Sequence, residues 1–255
     1  MKLTEEVYLV GSGAAGIGLT DDYDCHVYLI NGGGELALVD AGAGLGVSHI
    51  LNVVRADGFH LNDIRYVLIT HTHADHAGGA ARLGSELDAA FYVSAQEAAF
   101  LRDADEEAVG LTFAREAGFY PSDYRLEPCA VDRELHDGEV FHVGDLSVKA
   151  ILLPGHSIGS MLYLVQGKEQ RYLFSSDSVL FGGMISLLNC VGSSLEDYRN
   201  HIGKLSGLGV DALLPGHLNF CLKGGQEQLD KAVEAFKGLG VPTTMIGRHG
   251  LIISQ

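Results

Sequence analysis

The chain has 255 residues, of which 47% are hydrophobic and 20% are charged, and this composition is typical of one large or two small globular domains. The formal net charge is −16, and the 33 acidic residues are spread along the chain. The lysines and arginines form no cluster. Such a charge repels a phosphate backbone, so nucleic acid is not expected as a partner.

The sequence gives no indication of a secretory leader or a membrane span. Residues 1–10, "MKLTEEVYLV", contain two glutamates where a leader needs an uninterrupted apolar run, and no apolar run reaches about 18 residues. We therefore expect a cytoplasmic protein with no membrane partner. The four cysteines form no C-x-x-C pair and indicate neither a disulfide framework nor a thiolate zinc site.

The first part of the chain contains both strands and helices. Runs of β-branched and aromatic residues between glycine-rich turns predict strands, and apolar residues at helical spacing predict helices. The near-continuous apolar run "IRYVLIT" is typical of a strand that is buried on both faces. The predicted strands cover residues 7–10, 26–30, 36–39, 64–70 and 90–93, and the predicted helices cover residues 47–56, 78–87 and 95–105.

The second part begins with an irregular segment, residues 106–127, in which four aromatic residues stand among polar ones. Further strands and helices follow it, and no linker separates the two parts. We therefore expect a single α/β domain covering residues 1–255, with sheets covered by helices. The later predicted strands cover residues 139–143, 146–153, 161–165, 171–174 and 212–214, and the later predicted helices cover residues 195–205 and 226–238.

Near the N-terminus, "YLVGSGAAGIGL" places Gly11, Gly13 and Gly16 at the G-x-G-x-x-G spacing of a dinucleotide-binding turn. That motif requires a helix directly after the third glycine. The sequence instead continues with an acidic patch and an alternating strand, "IGLTDDYDCHVYLI". We therefore interpret the glycines as a flexible loop between the first two strands, near the edge of the fold.

The densest group of metal-ligating residues follows the predicted buried strand, in "THTHADH". Imidazole nitrogens and a carboxylate are ligands that Zn²⁺ prefers. A loop that leaves a rigid strand already restricts these side chains, so they lose little conformational entropy when a metal binds. His71 and His73 are two residues apart and point to the same side of an extended segment. Asp75 and His76 follow a turn and reach a second position.

Three further strands each end in one residue that could bind a metal. "LLPGHS" ends at His156, "LLPGHL" ends at His217, and "YLFSSDSVLFGG" presents Asp177. One such histidine alone is more often structural, but all of these residues together favour a metal site. Of the other histidines, His26, His49, His60, His136, His142 and His201 are expected to be structural or solvated, while the role of His249, which follows Arg248, stays open.

The motifs "HTHADH", "PGHS", "SSDS" and "PGH", in this order and preceded by "ALVDAG", resemble the metallo-β-lactamase fold superfamily from about residue 7 to residue 217. The resemblance implies an α/β fold, the αββα sandwich, in which two mixed β-sheets pack face to face and are flanked by helices. It implies a metal site where the strand-end loops converge. Asp40 would then hold the metal-binding loop by hydrogen bonds without being a ligand.

The resemblance also implies two divalent metal ions, with zinc as the first expectation and manganese or iron as alternatives. Such a pair would supply a metal-bound hydroxide as the nucleophile. Asp75 would in addition be catalytic, because it would orient the hydroxide or pass its proton to the leaving group. The implied ligands are His71, His73 and His156 for one metal, Asp75, His76 and His217 for the other, and Asp177 between both.

The activity that this pattern implies is hydrolysis of an ester-type bond in a small molecule: a lactone, a thioester or another carboxylic ester. This set of metal-ligating residues, with Asp177 between the two metals, resembles that of glyoxalase II and bacterial lactonases. Only 38 residues follow His217, however, which is too few for the glutathione-binding domain of typical glyoxalase II, and "SSDS" replaces the usual "SGDT". A smaller ester or lactone is therefore expected.

Other activities are alternatives on the same fold. β-Lactam hydrolysis is disfavoured because B1 enzymes carry cysteine in place of Asp177 and B3 enzymes lack this bridging aspartate. An iron-dependent oxidoreductase similar to persulfide dioxygenases would use one metal, which the complete second set of ligands disfavours. Residues 41–46 and 106–127 are expected to flank the site and select the substrate, and the sequence leaves open whether the chain forms a homodimer.

Overall fold

The computed structural model of the chain describes residues 1–247 and 250–251. Arg248 and His249, whose role the sequence left open, lie outside the described residues. No helix within the described part of the chain is both long and apolar enough to cross a membrane.

A mixed sheet of six strands forms one layer, with the strands in chain order from β1 to β6. The first three strands pair antiparallel, and β3 to β6 pair parallel. These strands are β1 (Val7–Gly11), β2 (Val27–Asn31), β3 (Leu36–Val39), β4 (Ile64–Leu68), β5 (Ala90–Ser94) and β6 (Arg133–Leu135).

A second mixed sheet has five strands in the order β11-β10-β9-β8-β7. All of its pairs are antiparallel except β10 with β11. Its strands are β7 (Val140–Val143), β8 (Leu146–Leu152), β9 (Met161–Gln166), β10 (Arg171–Ser176) and β11 (Ala212–Pro215), and a small hairpin follows with β12 (Ile246–Gly247) and β13 (Gly250–Leu251).

The helices lie on the outer faces of the two sheets. Side chains of α1, α3 and α4 pack with one face of the first sheet, and those of α6 and α7 pack with the outer face of the second. The helices are α1 (Val47–Ala56), α2 (Ala74–Ala77), α3 (Ala80–Glu86), α4 (Ala98–Asp103), α5 (Leu111–Glu116), α6 (Leu195–His201) and α7 (Gly225–Ala235).

The inner faces of the sheets form a core between the two layers. On β10, Tyr172 and Phe174 point into this core, whereas Leu173 points to the layer of α6 and α7. Side chains alternate across a strand, so a strand covered on both faces must be apolar at nearly every position. The expected αββα sandwich of two mixed sheets is therefore confirmed.

Several predicted boundaries differ from the observed ones. The strand predicted over residues 64–70 ends at Leu68, and the helix predicted over residues 95–105 covers only Ala98–Asp103. The segment 106–127 contains α5, and β6 was not predicted. Strand β6 has three residues and exists because it pairs with β5, which local composition does not reveal.

The glycine-rich segment after β1 forms turns and extended chain, and the described residues between β1 and β2 include no helix. A Cβ at Gly13 would overlap the carbonyl oxygen of Asp22, so the close return of the chain requires glycine there. The amide of Leu218 donates to the carbonyl of Ala15 at 2.8 Å. The segment is therefore joined to the loop that follows His217.

Candidate metal centre

The site lies where loops from both sheets meet. The loop after β4 and the short helix α2 carry four of the predicted ligands, while the other three follow β8, β10 and β11 of the second sheet. The structure brings all seven predicted residues together, although they extend from His71 to His217 along the chain. Most are buried; His73 and Asp75 are the partly exposed members.

A first group consists of His71, His73 and His156. The distance from His71 Nε2 to His73 Nδ1 is 3.0 Å, and His156 Nε2 lies 3.1 Å from the former and 2.9 Å from the latter. A triangle of this size is compatible with Zn–N bonds of about 2.0–2.1 Å. Three imidazoles that face one another in this way fit a bound cation.

A second group consists of Asp75, His76 and His217. His217 Nε2 lies 3.0 Å from Asp75 Oδ2 and 3.4 Å from His76 Nε2. The distance from His76 Nε2 to Asp75 Oδ2 is 3.6 Å. This donor set of two imidazoles and one carboxylate also fits a divalent ion.

Asp177 lies between the two groups. Its Oδ1 is 3.4 Å from His76 Nε2, and its Oδ2 is 3.6 Å from both His156 Nε2 and His217 Nε2. Oδ1 is buried and accepts no hydrogen bond from the described residues. A buried carboxylate oxygen without a donor is costly, and a cation would satisfy it.

The electrostatics divide the imidazoles into two kinds. Burial is the main cause that lowers the pKa of His71 well below its usual value and that of His73 to about 3, and the neighbouring histidines lower both further. Burial likewise lowers the pKa of His156, although Asp177 opposes the shift. These three rings are therefore neutral at pH 7, and a neutral ring nitrogen has the lone pair that a metal requires.

The second group behaves in the opposite way because carboxylates surround it. Burial alone would lower the pKa of both His217 and His76, but the neighbouring carboxylates raise both. Asp177 and Asp75 raise the pKa of His217, and Asp75, Asp177 and Asp40 raise that of His76 well above its usual value. Burial would raise the pKa of Asp75, yet His76 and His217 hold it below its usual range. These histidines and carboxylates stabilise each other's charged forms.

Residues outside the two groups fix the ring orientations. Asp40, at a φ of 65°, accepts a hydrogen bond from His76 Nδ1 at 2.8 Å and another from the Thr70 amide at 2.8 Å. His156 Nδ1 donates to the Ser186 carbonyl at 2.7 Å. Each bond leaves the Nε2 atom of that ring directed toward the site.

Cys25 and His26 lie beside the centre. Burial raises the pKa of the Cys25 thiol, so it is a neutral thiol and a poor metal ligand, although it lies near Asp40 and His76. Burial lowers the pKa of His26 to about 4, and its Nε2 donates to the Leu218 carbonyl at 2.8 Å. Both residues belong to the packing around the site.

Glu97 is a residue of the site that the sequence reasoning missed. One carboxylate oxygen accepts from the amide and hydroxyl of Thr72 at 2.7 and 2.8 Å, and the other accepts from the Gly159 amide at 2.8 Å. Glu97 therefore joins the loop of His71 and His73 to the loop of His156. Its position in a predicted helix carried no signal of this role, because its partners are remote in sequence.

The segment 106–127 contributes aromatic residues to the site. Tyr120 stacks between Tyr23 and Tyr124, with centroid distances of 5.6 and 5.1 Å, and its hydroxyl donates to Asp75 Oδ1 at 3.3 Å. Residues 41–44, by contrast, are buried, and only Leu45 in that loop is substantially exposed. They support the metal-binding loop, since the Ala41 amide donates to the His76 carbonyl at 2.8 Å.

An αββα sandwich with histidines and aspartates grouped at the shared edge of its sheets is the arrangement of a metal-dependent hydrolase. Residues 20–217 match the family profile described as the metallo-beta-lactamase superfamily. The chain belongs to this superfamily.

Two curated relatives are named as thioesterases. The chain is 31% identical over 211 residues to the acyl-coenzyme A thioesterase MBLAC2 of Gallus gallus, covering 76% of this chain and 72% of that protein. It is 28% identical over 193 residues to an atrochrysone carboxyl ACP thioesterase of Aspergillus fumigatus, covering 75% of this chain and 50% of that protein. The chain thus spans about half the length of the fungal relative.

Solved structures with the same fold include β-lactamases. A mutant metallo-beta-lactamase from Cronobacter sakazakii has a TM-score of 0.71 and 23% identity, covering 93% of this chain and 94% of that one. BJP-1, a subclass B3 enzyme of Bradyrhizobium japonicum, has a TM-score of 0.70 and 23% identity, covering 92% and 89%. At sequence identities this low, the similarity to these structures shows a shared fold only.

Proposed function

We propose that this chain is a metal-dependent hydrolase of ester-type bonds, with thioesters as the leading substrate class, and that residues 1–255 act as one domain. The observation that carries the proposal is the position of Asp177 between two complete groups of ligands, with a buried oxygen that lacks a hydrogen-bond donor. The superfamily membership and the thioesterase names of the relatives support the substrate class.

The residues fit two divalent metals, with zinc expected first and manganese or iron as alternatives. When bound, the metals would supply a Lewis acid for the scissile carbonyl and would activate a water molecule. We assign His71, His73 and His156 to one metal, Asp75, His76 and His217 to the other, and Asp177 to both.

Asp75 is the proposed catalytic residue. Its side chain is 21% exposed, so it can touch a substrate or a water molecule, whereas Asp177 is only 5% exposed. Tyr120 donates to its Oδ1, and His217 is paired with its Oδ2. Because these contacts hold the carboxylate ionised and in one orientation, orienting the attacking water is the role that they favour.

The alternatives are distinguished by their metal content and substrates. β-Lactam hydrolysis has the support of fold likeness alone, at 23% identity. A single-iron oxidoreductase would not need the second group, yet Asp75, His76 and His217 lie close enough to bind a second ion. A small-molecule substrate and a cytoplasmic location stay predictions from the sequence.

Metal analysis of protein purified without chelators, combined with hydrolysis assays on thioesters, aryl esters, lactones and β-lactams, tests the proposal. We expect two metals per chain and the highest kcat/KM on a thioester or ester. One iron per chain with oxygen consumption on persulfides would contradict it, as would turnover restricted to β-lactams.

A further inference from the structure

A cleft of about 60 Å³ opens beside His73. Phe100 of α4, Val109 before α5, Ile158 after β8 and the turn residue Val191 contribute its apolar walls. His73 and Glu97 contribute to its polar end. The cleft therefore starts at the first group of ligands and leads away from it between apolar side chains.

The lining offers no free charge to a ligand. Glu97 is only 1% exposed, and both of its carboxylate oxygens already accept hydrogen bonds from Thr72 and Gly159. Within the described part of the chain, the lining includes no lysine or arginine. Such a cleft disfavours a carboxylate, a phosphate or an ammonium group and favours an uncharged apolar one.

Two apolar side chains at the cleft are substantially exposed in the described structure. Val191 is 62% exposed and Ile158 is 39% exposed. A ligand that covered them would remove apolar surface from water, which is the favourable term in binding. The volume of the cleft is well below the range of about 300–1,000 Å³ that is typical of sites for whole small molecules, so the cleft has room only for a short group.

We propose that this cleft is the acyl subsite and that the enzyme prefers thioesters or esters of small apolar acids, of about four to six carbons, a size set by a small cleft. The inference rests on the proposed function. With the acyl chain in the cleft, its carbonyl carbon lies next to His73. Water oxygen then bonds to that carbon, the C–S or C–O bond breaks, and the leaving group departs as a thiol or alcohol with a proton from the water.

The test uses acetyl, butanoyl, hexanoyl and decanoyl thioesters of N-acetylcysteamine with the metal-loaded enzyme. We expect kcat/KM to rise by about fourfold for each buried methylene, thus roughly fifteenfold for the two methylenes from acetyl to butanoyl, and to stop rising beyond hexanoyl. Val191→Asp is expected to reduce the ratio of hexanoyl to acetyl kcat/KM by about tenfold, because it places a charge at the cleft.

Val241→Asp is the matched control, since Val241 is 64% exposed and does not line the cleft. It should leave the ratio unchanged. Thioester hydrolysis that does not depend on chain length, or an equal effect of the two substitutions on the ratio, would overturn the subsite and leave the proposed function intact.

A binding measurement separates the subsite from catalysis. Calorimetry with the non-cleavable ethyl and hexyl thioethers of N-acetylcysteamine should give tighter binding of the hexyl compound, and Val191→Asp should remove the difference. If no thioester, ester or lactone is cleaved but this difference is seen, the proposed function fails and the subsite stands. If the two compounds bind equally, the subsite is wrong.

Discussion

Asp177 is the residue on which the two groups of ligands depend. Its two oxygens face histidines of both groups, at 3.4 and 3.6 Å, and its pKa is held well below the usual range because the pull of His217 and His76 exceeds the effect of burial. An ionised carboxylate at this position balances the charge of cations on either side. Its assignment as a bridging ligand stays a prediction.

Asp177→Ala is expected to lower the metal content by at least one ion per chain and to reduce turnover by about a hundredfold or more, because a ligand and a buried charge are lost together. Elemental analysis and kcat measurements check this. Asp145→Ala is the control, since Asp145 is exposed and, among the described residues, forms an ion pair only with Lys168 at 4.0 Å. Turnover of the Asp177 variant at the level of this control would remove Asp177 from the bridging role.

Tyr120→Phe removes the hydrogen bond to Asp75 while the aromatic stack is retained. A hydrogen bond to a charged group contributes about 1.5–3 kcal/mol, and the 3.3 Å distance places this one at the weaker end. We expect kcat to fall about tenfold with the metal content unchanged. Tyr23→Phe is the matched control, because Tyr23 stacks on the same ring. Identical kcat values for the two variants would show that the hydroxyl of Tyr120 has no role.

Among the structural elements, the two Pro-Gly-His segments show why glycine precedes each histidine. Gly155 has a φ of 147°, and a Cβ there would overlap the ring of Tyr198. A Cβ at Gly216 would overlap Asp177 Oδ1 and lie 2.6 Å from His76 Cε1. The turn after each strand therefore approaches buried side chains so closely that only glycine fits.

Gly216→Ala is expected to displace Asp177 or His76, to lower metal affinity, and to reduce the free energy of unfolding by about 1–3 kcal/mol. Gly203→Ala is the matched control, since a Cβ at Gly203 has no atom of the described residues within 4 Å. Urea unfolding and chelator competition measure the two effects. Normal metal affinity in the Gly216 variant would contradict the close approach seen here.

A substitution of Glu97 tests the connection between the two loops that it joins, which belong to different sheets. In Glu97→Gln, the amide NH₂ group must face a backbone N–H donor whichever way it is turned, because both oxygens of Glu97 accept from backbone amides. We expect metal affinity to fall about tenfold to a hundredfold, measured by chelator competition. Glu107→Gln, at an exposed position, should have no effect. Equal affinities in both variants would contradict the positioning role.

At the scale of the whole molecule, the candidate metal centre lies where loops of the two sheets meet. The loop after β4 belongs to the first sheet, and the loops after β8, β10 and β11 belong to the second. A cation held by both sets of loops binds the folded state and not the unfolded chain, and it therefore stabilises the fold by mass action.

Removal of the metals with a chelator is expected to lower Tm by about 5–10 °C. A ligand at a hundred times its Kd contributes about 2.7 kcal/mol, and about 1 kcal/mol shifts Tm by about 2–4 °C in a domain of this size. Calorimetry with and without chelator measures the change, and added zinc should restore it. An unchanged Tm after verified metal loss would show that the ions do not bridge the layers.

The fold could be predicted well where strands are long and apolar. The sequence predicts a buried strand over residues 64–70 that leads into the ligands, and β4 lies there, although Arg65 is exposed and Tyr66 is half-buried. Strand β6 and helix α5 could not be predicted, because three-residue and six-residue elements depend on their tertiary neighbours. Within the site, Glu97 has no signal in the sequence, since its partners are remote along the chain. Tyr120 lies in the segment 106–127 that is expected to flank the site, but its contact with Asp75 depends on the tertiary structure.

The sequence by itself determined the superfamily and the identity of the seven candidate ligands, because each stands at the end of an apolar strand in a recognisable motif. Only the tertiary structure decided the distances between them, such as the 3.1 Å from His71 to His156 across 85 positions of sequence. It also decided the charge states and the apolar cleft. The physical reason is that pKa values and cavities depend on burial and on neighbours, which long-range packing brings together.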